Sequence, residues 1–184
     1  MTYQGQTKVQ QSRCAAMLSF VGRGYAISLP SRLKCPEGKM KLPPDVTFHT
    51  EPQLMVWRPR GIVDENVMNQ ITTFIGCAEA TSKSPFDRFT DTTLLDSIDL
   101  SFDYVFHVAL YRRMSYAGHL KVKSAFLVKW GKSDHEAKLH AFLTERSSLD
   151  VRLFEELEAA AKWLNVSAAL LQPADTMQKS PTST

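Results

Sequence analysis

The sequence predicts an α/β fold: a mixed, mostly parallel sheet of about five strands packed with about four helices. Three observations predict it. Short apolar runs alternate with longer segments whose apolar residues recur at helical spacing. The helical segments open on good N-cap residues, Asp64, Ser101 and Ser133. At 184 residues with no internal repeat, one domain with a real core is the expectation.

Each element has its own signal. Residues 46–50 and 54–58 are two strand-like runs separated by Glu51-Pro52, which reads as a hairpin. Pro59 and Gly61 punctuate the exit. Asp64 caps a helix reaching about residue 80, with Val67, Ile71, Phe74, Ile75 and Ala78 on one face. Residues 88–93 read as a strand and 94–100 as a connection. Ser101 caps a helix over 102–116, with Asp103 in its first turn and Arg112 and Arg113 in its last, placements that suit the helix dipole. Gly118 ends it. Residues 122–129 hold the apolar run Ser124, Ala125, Phe126, Leu127, Val128, fit for a buried strand. Ser133 caps a helix over 134–145, and Glu136 completes a capping box. Residues 151–154 form a last strand. Residues 155–164 form a last helix with Leu157, Ala160, Ala161 and Leu164 inward. From Ser167 the chain turns small and polar, so 167–184 is expected to be a disordered tail. The order is β-β-α-β-α-β-α-β-α, with right-handed crossovers.

Composition narrows the function. A hydrophobic share of 43% and a charged share of 22% are those of an ordinary globular protein. No apolar run reaches the roughly 20 residues that span a bilayer. The formal net charge is +3, but Lys8, Arg13, Arg23, Arg32, Lys34 and Lys39 precede Met40 against Glu37 alone. Residues from Met40 onward are mildly acidic, which removes the electrostatic case for nucleic acid. Cys14, Cys35 and Cys77 are scattered, odd in number and without a CxxC pair. They argue against a disulfide framework and a structural zinc site, and for a reducing cytoplasm.

Residues 1–39 show no sustained period. Three readings stay open: a secretion signal around the apolar run after Arg13, a disordered basic arm, or an untranslated stretch with Met40 as the start. The last is favoured because Pro36-Glu37-Gly38-Lys39-Met40 can be encoded with a purine-rich run just ahead of ATG. The domain is then 40–166.

More specific wording lies near the end. Val151, Arg152, Leu153 and Phe154, followed by Leu157, Ala160, Ala161, Trp163 and Leu164, resemble the "VRVFxDLxxAxxWLG" ending of STAS-like and SpoIIAA-like proteins of bacterial type. Residues 124–145 resemble the strand, loop and helix before it, and the likeness runs over about 46–166. The resemblance implies a cytoplasmic, non-enzymatic binding or regulatory module that works through protein–protein interaction, either with a partner protein or by self-association. In sigma-factor antagonists of that family a serine at the start of a helix, in a pattern near "IDSSG", is phosphorylated. Ile98, Asp99, Leu100, Ser101 and Phe102 stand at that place, so Ser101 is the phosphoacceptor candidate; Leu100 and Phe102 depart from the pattern. The resemblance also implies an alternative, a small-ligand or lipid-binding domain, which requires an apolar cavity of about 300 Å³ or more.

The physics of the spot stands without the family. A helix N-terminus tolerates an anion, but Asp99 and Asp103 would oppose a phosphate on Ser101. Asp91, Asp96, Asp99 and Asp103 lie near the carboxyl end of a strand, where open α/β sheets bind ligands. Phe102, Val105, Phe106, Ala109 and Arg113 form one stripe of their helix and read as core. Tyr104, His107, Tyr111 and Tyr116 lie mostly elsewhere and are the candidate partner-facing surface. His135 and His140 are five apart, one too many for HExxH zinc binding. No serine-nucleophile or phosphate-loop motif occurs. No enzyme, metal or cofactor is therefore expected, and Cys77 reads as a packed small residue.

Overall fold

Strand β2 (Leu54–Trp57) shows why the sheet forms. All four of its side chains are buried, and they alternate: Leu54 and Val56 join one apolar cluster, Met55 and Trp57 the other. A strand buried on both faces must lie between two layers. In this computed structural model the described residues are 42–82, 84–115, 121–129 and 134–173, all within the unit Glu37–Thr184. Residues 1–39, Tyr116, Gly118 and Ser133 lie outside them.

The main sheet has five strands in the order β1-β2-β4-β6-β7, with β1 at Val46–His49, β4 at Asp87–Asp91, β6 at Val122–Leu127 and β7 at Leu149–Phe154. β1 pairs antiparallel with β2, as Val46 opposite Trp57. The other pairs are parallel, with Val56 opposite Phe89 and Phe89 opposite Ala125. Helices α1 (Glu65–Ser82), α2 (Phe102–Ser115), α3 (Asp134–Thr144) and α4 (Leu157–Leu164) fall between or after these strands as expected. The fold class is thus the expected one: α/β, mixed and mostly parallel.

A second sheet was not expected. β3 (Gly61–Asp64) and β5 (Leu95–Asp99) pair in parallel as a two-stranded ribbon. The stretch read as a connection over 94–100 therefore contains a strand. Only Val63 and Leu95 of this ribbon are buried, so its local pattern is weak. Gly61 opens it at φ +71, a left-handed value that glycine adopts without cost, and the register shifts between Gly61 and Ile62.

Each face of the main sheet has its own cover. On one side Leu54, Val56, Phe89, Ala125 and Leu127 meet Ala160, Ala161 and Leu164 of α4. On the other, Met55 and Trp57 meet Val63, Ile71, Phe74, Ile75 and Leu95. Asp64 caps α1, its Oδ1 accepting from the Val67 N–H at 2.8 Å. Asn165 ends α4 in the left-handed region, and its N–H reaches the Ala161 and Lys162 carbonyls. Cys77 is fully buried in α1, the packed small residue that its place in the sequence suggests. Among the described residues no helix is long and apolar enough to cross a membrane.

The fold continues past Val166, where the sequence reading begins the tail. Ser167 caps a 3-10 helix, Ala168–Leu171, by accepting from the Ala169 N–H at 3.3 Å. Leu171 is fully buried in the α4 cluster. Truncating it leaves a cavity in a well-packed layer, so Leu171→Ala should cost about 2–5 kcal/mol in urea unfolding. A loss under about 1 kcal/mol, the level of a surface change, would show that the tail does not pack.

Candidate docking face and internal cavity

The N-terminus of α2 is tied to the N-terminus of α1. Ser101 Oγ accepts from the Tyr104 N–H at 3.2 Å, so Ser101 is the N-cap, and its hydroxyl donates to Glu65 Oε1 at 3.2 Å. Tyr104 donates from its hydroxyl to Asn69 Oδ1 at 2.9 Å, with the Glu65 carbonyl at 3.3 Å. Burial, then Glu65 and Asp64, push the Tyr104 pKa up to about 12, so this phenol stays protonated and donating.

These ties set the rotation of α2. Tyr104, Val105, Ala109 and Arg112 are buried. Phe102, Phe106, Leu110 and Met114 are 61%, 39%, 42% and 48% exposed. The expected assignment is therefore partly inverted. Phe102 and Phe106, read as core, face solvent, while Tyr104, read as partner-facing, is interior. Val105 and Ala109 are core as expected. The reason is that α2 is apolar on two opposite faces, so periodicity alone gives no inward direction. Phe102 and Phe106 stack with ring centres 6.3 Å apart. His107 donates from Nδ1 to the Asp103 carbonyl at 2.6 Å, and its ring meets the edge of Phe106 at 5.8 Å. Tyr111 is half-buried.

The aspartates do not gather. Asp91 is buried and accepts from the Thr93 N–H at 2.9 Å and the Thr93 hydroxyl at 2.6 Å, a local turn. Asp96, Asp99 and Asp103 are exposed. Among the described residues no three His, Cys, Asp or Glu side chains come together as a metal site. A residue the sequence reading missed stands near Asp91. Arg58, just past β2, has buried Nε and Nη2 atoms without a hydrogen-bond partner among the described residues. Burial lowers its pKa and Asp91 opposes that. A lone cation directly after a fully apolar strand was the available signal.

Beneath α2 lies a cavity of about 120 Å³ between the main sheet and α1, α2 and α3. Its walls are mostly apolar, including Met55, Ile71, Val105 and Val108, but Arg88, Thr90 and Ser124 rise from the sheet and Arg112 and His140 come from the helices. Arg88 is buried and ion-paired with Glu79. His140 meets Phe126 edge-on at 6.4 Å, so it packs beside the core as expected. Desolvation, then Arg112 and Arg88, hold its pKa down to about 3.

No protein-family model matches this chain, and no curated protein does. Among solved structures the chain is similar to an uncharacterised protein of the DUF3478 family with a SpoIIAA-like fold from Shewanella loihica PV-4. The two share 16% identity over 65% of this chain and 90% of that one, with a TM-score of 0.43.

The neutral His140 makes stability depend on pH. Its pKa is near 6.5 when unfolded and about 3 when folded. Between those values the unfolded chain binds the extra proton, so stability is full above 6.5 and falls as pH drops toward 3. The slope from this group is at most about 1.4 kcal/mol per pH unit. Urea unfolding at pH about 7 and about 5 should show a larger loss for the wild type than for His140→Gln. Equal losses would contradict the half-buried, neutral imidazole.

Proposed function

We propose that this chain is a non-enzymatic binding module that acts through protein–protein interaction, with the outer face of α2 as its docking surface. The observation that carries the reading is the contiguous exposure of Phe102, Phe106, Leu110 and Met114 along one helix. Apolar side chains at four-residue spacing form a single strip, and such strips mark interaction surfaces more often than scattered exposed residues do. Ser101 is the natural place for a switch. A phosphate there would replace the hydroxyl that donates to Glu65 and would be repelled by that carboxylate, loosening the start of α2.

The test is affinity capture with the full chain from its native host. The double variant Phe106→Asp, Leu110→Asp should lose the partners that the wild type retains while melting at a similar temperature. Ser101→Ala should keep them, since it removes the switch but not the strip. Retention of the same partners by the double variant would overturn the reading.

A second reading, small-ligand binding, rests on the cavity. At about 120 Å³ it is far below the several hundred that a lipid or drug-sized ligand needs, but close to a space that holds a benzene-sized molecule. Benzene and benzoate, as probes, should raise the melting temperature of the wild type but not of Val108→Phe, which fills the space. No shift with either probe would contradict this second reading.

A further inference from the structure

The outer face of α2 is self-complementary. Asp103, Phe106, Leu110 and Arg113 follow one another at 3-4-3 spacing, the seam spacing of packed helices. All four are exposed. Phe102 and Met114, also exposed, flank the seam at its two ends. The buried Tyr104, Val105, Ala109 and Arg112 lie on the other side, so the seam points outward.

Turn a second copy of α2 end for end about the midpoint between Phe106 and Leu110. Phe106 then faces Leu110 of the copy, Phe102 lies beside Met114, and Asp103 meets Arg113. Every apolar position meets an apolar position and each carboxylate meets a guanidinium, twice over by symmetry. A parallel arrangement would instead set Asp103 beside Asp103 and Arg113 beside Arg113. The charges therefore select one orientation, as flanking charges do in helix pairs.

We propose that the occupant of this face is a second copy of the chain, bound through an antiparallel, two-fold pairing of α2 with α2. This rests on the reading of the face as a docking surface and adds the identity of the partner. The interface is isologous, with the same patch used by both copies. Near-antiparallel crossing at about +20°, the geometry of helix bundles, brings the Asp103 and Arg113 side chains toward one another across the seam. The seam spans eleven residues, roughly 15 Å of helix from Asp103 to Arg113. One helix pair of that length sits at the small end of specific interfaces, so the dimer forms and dissociates with concentration rather than permanently.

Sedimentation equilibrium on the full chain tests it. The wild type should move from one-chain to two-chain mass across micromolar concentrations. Phe106→Asp with Leu110→Asp should stay at one-chain mass while keeping its melting temperature. Asp103→Arg and Arg113→Asp, each alone, place like charges across the seam twice and should each weaken pairing about tenfold. Mixed together, these two single variants should form a heterodimer tighter than either forms with itself, because every end contact then joins opposite charges. The direction is read from the single variants: in a parallel pairing Asp103 already faces Asp103 and Arg113 faces Arg113, so neither change alone would alter the number of like-charge contacts or weaken pairing. A dimer whose strength ignores both charge changes would overturn the proposed pairing. A wild type that stays at one-chain mass, whether alone or while binding phosphatidylcholine vesicles, would overturn the second copy as occupant. Loss of captured partners by the double aspartate variant would then still uphold a docking face used by a different protein.

Discussion

The rotation of α2 about its own axis decides what this domain can offer a partner. That rotation is held at the helix N-terminus, where Ser101 caps the first turn and donates to Glu65 while Tyr104 donates to Asn69. Both partners belong to α1, which is anchored to the sheet through Ile71, Phe74 and Ile75. A net gain of about 1 kcal/mol for each such hydrogen bond is modest, but the bonds act at one end of a short helix and fix which apolar face turns inward. Tyr104, Val105 and Arg112 then wall the cavity, and Phe106 and Leu110 are left outside.

The inward side explains why the cavity persists. The sheet face under α2 carries Arg88, Thr90 and Ser124 in place of the large apolar residues on the opposite face, such as Phe89 and Leu127. Polar groups require partners and cannot collapse onto an apolar helix without cost. The layer on that side is therefore looser than the layer beneath α4. The ion pair of Arg88 with Glu79 and the neutral state of His140 are two ways in which this interior accommodates polar groups.

The sheet and helices were legible because their signals are local. Ala125 to Val128 are apolar without interruption, as a strand covered on both faces must be, and Asp64 and Ser101 are caps whose role depends only on the next turn. The β3–β5 ribbon was not legible, since its strands pair across more than thirty residues and bury only Val63 and Leu95. Leu171 was missed because a short apolar pair after a helix looks like fraying until the α4 cluster is there to receive it. Of the candidate site, Ser101 as a cap was readable from its position. The exposed strip was present in the letters but assigned to the wrong side, because Phe102, Val105, Phe106 and Ala109 make as coherent a face as the one actually buried. Arg112 and Arg113 carry the same difficulty: adjacent arginines, one interior and one outward, are indistinguishable without knowing the rotation.

Hydroxyl-radical footprinting of the intact chain reads that rotation directly. Phe102, Phe106 and Met114 should be oxidised readily in dilute solution, and Tyr104 slowly despite its reactive ring. Raising the protein concentration should then protect Phe106 and Met114 selectively. Oxidation of Tyr104 as fast as Phe106 in the dilute, folded chain would mean that α2 presents a different face, and the account of docking built on it would be wrong.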